Sequence, residues 1–295
     1  MAYTSGTAAN YKDLLAVMTT FAAANGWVVM EQSESKVFLK GTGDAGLDAI
    51  FVGVECYESV GAGYFNWEIT GAFGYLSGRS FKDMPHANPL EWCFAYFWNQ
   101  SIPYWMVATP RRIIVVAKVS TTYQMVHLGL GTPVGTTAQY PYPLLIGGSG
   151  GTGRKAQNYS ASSAAFWNTL LRLANVDQAN GGFVSPGGAW HPINSNTMWT
   201  NNTFNSRAGC ISSPYYSQIS NLVKSLDGSY LLDQMYIVGP PDTCKGVLAS
   251  VEGLFRVSGF QNTAENIITV GGINYLVVPD TSRASISDFC ALRLN

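Results

Sequence analysis

The stretch from Ile102 to Gly148, IPYWMVATPRRIIVVAKVSTTYQMVHLGLGTPVGTTAQYPYPLLIGG, most constrains what this chain can fold into. Two apolar segments, Ile113 to Val119 and Tyr123 to Leu130, read as strands joined by a Ser-Thr-Thr turn. Tyr, Trp and Pro flank them, and side chains suited to acid–base or nucleophilic chemistry are almost absent. Such a run is built to pack rather than to react. Pro133 and the Pro141-Tyr142-Pro143 triplet then predict extended, unpaired backbone, because proline fixes φ and lacks an N–H.

The residues before this run predict one helix on an antiparallel sheet. Tyr11, Leu14, Leu15, Met18, Phe21 and Ala22 fall on one face at a 3.6-residue period, with Asn10 as a cap and Gly26 as a left-handed stop. The sheet is expected from Trp27 to Met30, Lys36 to Lys40, Ala49 to Cys56 and Asn66 to Tyr75, the last two joined as a hairpin through Tyr57 to Gly63. Ser77 to Asn99 has no clean period and reads as ordered irregular backbone. Toward the C-terminus strands are predicted at Gln234 to Val238, Leu254 to Ser258, Ile267 to Val270 and Ile273 to Val278, with Gly271-Gly272 as a two-residue hairpin turn. The glycine-rich stretch Gly147 to Gly153 suggests a boundary, and Ser163 to Ala174 a short helix. The expected fold is therefore α+β and β-rich. An N-terminal domain over residues 1–148 is followed by a flexible linker, 149–162, and a second β-rich domain, 163–295.

Composition narrows the function classes. Charged residues make up 12% of the 295-residue chain and the net charge is −1, so no basic footprint for nucleic acid or an anionic membrane is present. No segment reaches the roughly 18 consecutive apolar residues of a spanning helix, and no secretory leader pattern is visible, so synthesis in a cytoplasm is expected. Cys56, Cys93, Cys210, Cys244 and Cys290 are scattered, odd in number and without a C-x-x-C pair, which predicts reduced thiols rather than a zinc site or disulfide framework. Sixteen tyrosines, 14 phenylalanines and 8 tryptophans exceed what one core needs. With so little charge to keep copies apart, an oligomer or assembly subunit is expected.

Motifs that could carry chemistry fail on context. Gly148 to Gly153 matches G-x-G-x-x-G, but RKAQNYSASS follows where a helix should open, and no acidic residue occurs between the motif and Asp177. Gly147 to Gly151 matches the nucleophile elbow G-x-S-x-G, with Asp177 and His191 in triad order, yet the chain lacks the alternating strands and helices of that fold. His86, His127 and His191 stand alone; His127, inside a strand, reads as a structural residue. Asp44, Asp48, Glu55 and Glu58 lie around turns and read as solvated. No catalytic residue, cofactor or metal site is predicted. Interface candidates are Tyr104, Arg111, Arg112, Tyr140 and Tyr142: the tyrosines join apolar area to polar tips, whereas Trp105 is assigned to the core. The two arginines enter a very apolar strand, where they serve either a subunit contact or a plain edge.

The blocks IPYW, RRIIVVAKVST, QYPYPL and IGGS, in this order and spacing, resemble virion structural proteins of contractile-tailed bacteriophages and prophages. SGTAANYKDLL with NGW, PGGAWHPI, and VEGLFRVSGFQNTAENIITVGGINYLVV extend that resemblance over much of the chain. It implies a tail subunit located in the virion, a baseplate component that contacts copies of itself in a cyclic assembly together with sheath, tube and other baseplate proteins, and neither nucleic acid nor membrane. A collar or tail-terminator subunit is the alternative within the class. A virion-associated glycan-binding protein or hydrolase, using Trp190 and Trp199 as sugar platforms, is the alternative outside it.

Overall fold

The computed structural model describes residues 1–46, 48–89, 93–148, 181–193, 210–212, 224–239, 246–279 and 289–295. In chain order they form β1 (Ala2–Ala8), α1 (Tyr11–Ala23), β2 (Trp27–Gln32), β3 (Lys36–Gly41), β4 (Ile50–Ser59) and β5 (Tyr64–Ala72). After a single 3-10 turn at Phe81–Asp83 come β6 (Phe94–Ala95), β7 (Ile102–Thr109), β8 (Arg112–Val119), β9 (Thr122–Leu130), β10 (Thr132–Pro133) and β11 (Leu144–Gly147). The remainder comprises β12 (Gly181–Val184), β13 (Trp190–Pro192), β14 (Cys210–Ser212), β15 (Asp233–Val238), β16 (Val247–Val257), β17 (Ile267–Val270), β18 (Ile273–Pro279) and β19 (Phe289–Arg293). The chain is thus α+β and β-rich, and every strand pairing among the described residues is antiparallel. Among these residues no helix is long and apolar enough to cross a membrane.

The helix starts where its cap predicts. Asn10 Oδ1 accepts from the amides of Lys12 and Asp13 at 2.9 and 3.0 Å, and Asp13 Oδ2 accepts from Ala9 N at 2.7 Å, a reciprocal box that satisfies donors the first turn leaves open. The helix ends at Ala23, and Gly26 takes φ +91° beside Pro110, whose ring would lie 2.8 Å from any Cβ there. Leu14, Leu15 and Met18 are fully or nearly fully buried, each contributing about 1.5–3 kcal/mol.

The sheets stack in layers. One has the order β2-β3-β4-β5-β6, a second β1-β7-β8-β9-β11-β12-β13, and a third β14-β15-β16-β19-β18-β17 with β10 paired to β16. The helix packs against strands of both the first and second sheets. It shares one core with Val37, Leu39, Val52, Trp67 and the alternate residues Ile113, Val115, Ala117 and Val119 of β8. On that face the buried Trp67 donates its indole N–H to Tyr11 O at 3.0 Å, tying β5 to the helix start. The opposite face of the second sheet, including Ile114, Val116, Met125, Leu145 and Phe183, packs on Met235, Ile237, Val251, Leu254, Leu276 and Leu292 of the third. The middle sheet is buried on both sides, so β8 and β9 read as near-continuous apolar runs instead of alternating ones.

This layering redraws the expected domain boundary. Residues 181–192 return across any division near 148 to complete the middle sheet, with β12 pairing β11. The C-terminal strands share a core with the signature run. Among the described residues the two largest cores lie on opposite faces of one central sheet, in place of a pair of domains strung on a linker; the proposed linker and the helix at Ser163 to Ala174 lie outside the described residues. The extended, unpaired backbone expected at Pro133 is also corrected. Thr132 and Pro133 pair with Ser250 and Ala249, a two-residue bridge that tolerates a missing amide. Several strands went unpredicted, β1 and β7 among them. β1 lacks apolar alternation, and β7 carries Pro103, yet the two pair over seven residues from Ala2–Ala108 to Ala8–Ile102. The Gly271-Gly272 turn is as predicted, both residues at positive φ, 59° and 78°.

Candidate interaction surface

The hairpin turn between β7 and β8 delivers both arginines to the seam between the middle and third sheets. Arg112, 3% exposed, reaches Glu252 of β16 at 2.6 Å, and the same carboxylate oxygen accepts from Thr132 Oγ1 at 3.0 Å. Arg111 donates through Nη2 to Gly131 O at 3.3 Å and lies 3.7 Å from Asp44. A second clasp joins the same layers: Lys118 lies 2.6 Å from Glu265, and Tyr123 donates to that carboxylate at 2.5 Å. The arginines therefore hold this chain's own layers together. Burial, the largest influence, lowers the pKa of the Arg112 guanidinium against the raising effect of Glu252. Burial raises that of Glu252, but the charge and hydrogen bonds of Arg112 and Thr132 outweigh it and the net shift is downward.

Removing the half-exposed partner leaves a cation in the seam. Glu252→Ala is expected to cost about 3 kcal/mol in urea unfolding, the low end for a broken buried pair because water reaches the Glu252 side. The double variant Arg112→Met/Glu252→Met is expected to recover most of that loss. A loss under about 0.5 kcal/mol in Glu252→Ala would mean that the ion pair is only a surface contact.

The tyrosines separate into two groups. Tyr104 stands opposite Gly6 in the β1–β7 register, and its ring lies across that glycine, where a Cβ would sit 2.6 Å from its hydroxyl. At 9% exposure it is a cross-strand cover for the glycine and not an exposed anchor. Tyr140 is buried as well, its hydroxyl donating to Val184 O. The interface role expected of Tyr104 and Tyr140 gives way to packing within the chain. Trp105 is half-buried against the core between the middle and third sheets, at its margin and not its centre.

Tyr142 alone of the three is open, at 44% exposure. It rims a groove of about 310 Å³, lined by no Asp, Glu, Lys or Arg, with Phe73, His86, Pro141, Ser185 and Pro186. The rings of Phe73 and Tyr142 are 5.6 Å apart at 57°, so they present a tilted aromatic wall. Trp190 anchors the groove from below: its indole donates to His86 O at 2.8 Å, and its ring leaves no space for a Cβ on Gly71. His86 adopts φ +54° there. Phe73, His86 and Pro186 carried no sequence signal as a group, because they come from the end of β5, the irregular segment after it and the β12–β13 turn. The groove offers ring faces and prolines with few polar atoms, a lining that gains by burying neutral, ring-bearing or proline-rich segments.

The other chemistry-bearing groups lie elsewhere and apart. His127 is fully buried on β9 with Nδ1 3.2 Å from Leu145 O, as a structural residue would be. Burial raises the Cys56 thiol to about 12 and raises Cys93 further, so both are protonated at neutral pH. The side chains of Cys210 and Cys244 lie outside the described residues, as do Ser149, Asp177 and Trp199. His191 stacks on Phe183 with ring centroids 5.6 Å apart. Glu58 pairs with Lys12 at 3.5 Å. Among the described residues no three His, Cys, Asp or Glu side chains converge on a common point. No family model matches the chain, and no curated protein matches it.

Proposed function

We propose that this chain is a structural subunit of a contractile bacteriophage tail, a baseplate component that contacts sheath, tube or both. The observation that carries this reading is the ordered set of blocks IPYW, RRIIVVAKVST, QYPYPL and IGGS, which resembles tail proteins of that class. The architecture agrees with a mechanical role: the IPYW and RRIIVVAKVST blocks run through the middle sheet of a three-sheet stack clasped by two polar ties, a body suited to transmitting load. The contact surface is the aromatic groove at Tyr142, where a neighbour's side chains would replace water over Phe73 and Pro186. Such contacts are made and released as the sheath contracts.

Particle incorporation tests both the assignment and the groove. Tyr142→Ala is expected to leave the subunit folded, with an unchanged melting curve, and to reduce its copies per particle at least tenfold. Tyr140→Phe is expected to do the reverse, assembling normally while losing about 1 kcal/mol of stability with its buried hydrogen bond. Normal incorporation of Tyr142→Ala would remove the groove from the interface. Immunogold labelling at the distal end of intact particles supports the baseplate, and labelling at the neck moves the subunit to the collar or terminator. A chain absent from particles in which the epitope is accessible would overturn the tail assignment.

A further inference from the structure

Among the described residues the three sheets end in edges, and all but one are blunted. β2 carries a bulge between Val29 and Glu31, and Glu31 is ion-paired to Lys36. β6 has two residues, β13 and β14 three each, and β17 four. Each is too short or too irregular to accept a long partner, the usual protection of an open sheet. β1 has none of these devices. Its seven residues, Ala-Tyr-Thr-Ser-Gly-Thr-Ala, pair with β7 in unbroken register and include no charge, proline or bulge. Among the described residues no strand pairs with its other side. Alternate residues of any such edge strand aim both N–H and C=O outward, so β1 presents a ready ladder.

We propose that β1 is the dimerisation edge of this protein, pairing antiparallel with β1 of a second copy about a two-fold axis at Ser5. The sequence is close to self-complementary in that register. Ala2 meets Ala8, Tyr3 meets Thr7, Thr4 meets Gly6, and Ser5 meets its own equivalent. Tyr3, 39% exposed, thereby gains an aromatic to β-branched partner, and no like charges face one another. An isologous contact of this kind closes after two copies and joins two seven-stranded sheets into one continuous sheet. Gly6 faces Thr4 of the other copy without crowding the ladder, and Tyr104, folded over Gly6, supports the edge from the β7 side. The inference is independent of the tail assignment, since it rests on the edge alone.

Sedimentation velocity of the full chain tests it through charge at the axis. Ser5 is exposed, so Ser5→Lys and Ser5→Glu are expected to keep the wild-type melting curve. Wild type is expected to dimerise below about 100 μM, the modest affinity of a small interface. Each variant alone is expected to be monomeric there, and an equimolar mixture to regain the dimer, because Lys then faces Glu across the axis. A monomeric wild type at that concentration would overturn the proposal. So would a dimer indifferent to both charges, which would place the interface elsewhere. Loss in both variants without recovery on mixing would also overturn it, by making β1 the partner of a different strand.

Discussion

Gly129→Ala is expected to destabilise the protein by about 3–5 kcal/mol, the sum of a backbone held where L-residues rarely go and a methyl forced into main chain. Gly129 adopts φ +129°, and a Cβ on it would lie 2.2 Å from Arg111 O and 2.6 Å from Arg112 Cα. Neither obstacle can swing aside as a side chain would. The same close approach lets Leu130 N donate to Arg111 O at 2.8 Å and sets the β8 entry from which Arg112 reaches Glu252. Gly78 is the control: its φ is +76° but nothing lies within 4 Å of its Cβ position, so Gly78→Ala carries backbone strain alone, about 1 kcal/mol. Denaturant midpoints of the two variants decide the matter. Equal losses would show that the contact between β8 and β9 at Gly129 can relax.

The second large effect is a dependence of stability on pH. His127 is buried among apolar neighbours; burial, reinforced by the charge of Arg112, depresses its pKa to about 3 despite the Leu145 carbonyl. The unfolded chain takes up that proton near 6.5, whereas the folded chain keeps the ring neutral until about pH 3. Unfolding therefore binds a proton between these values. The stabilising contribution is complete above about pH 6.5 and is lost as pH falls, by up to about 1.4 kcal/mol per pH unit. His191, also lowered by burial, adds a smaller term of the same sign. Glu31, Glu252 and Glu265 are all lowered by their partners, so their contributions stand above the ordinary carboxylate range and are lost only on further acidification. Between pH 6.5 and 5 the slope therefore belongs mainly to His127. Unfolding free energies measured across that interval are expected to fall by about 2 kcal/mol in the wild type and to be nearly flat in His127→Gln. An unchanged slope in the variant would assign the titration to another group.

Much of the local structure was legible from residue order. Asn10, the Leu14–Met18 face and Gly26 mark the helix because capping and amphipathic spacing act within a few residues. The Gly271-Gly272 hairpin and β2 to β5 of the first sheet were similarly visible, since turn chemistry and apolar patterning are local, whereas β6 lies in the stretch expected to be irregular. The candidate site was only partly legible. Tyr142 emerged as exposed, but Tyr104 and Tyr140 have the same composition of ring and hydroxyl and are buried, because Gly6 and Val184 O meet them from strands far along the chain.

The sequence by itself determined the β-rich class, the capped helix and two strongly apolar strands in the middle of the chain. Which elements cover them was decided by tertiary structure alone. β1 on one edge, β12 and β13 on the other, and β16 across the seam come from distant positions, and their apolar residues say that they must be buried without saying against what. Burial is non-directional, so the choice among partners falls to shape and to a few directed contacts, such as Gly129 against Arg111 and Arg112 with Glu252.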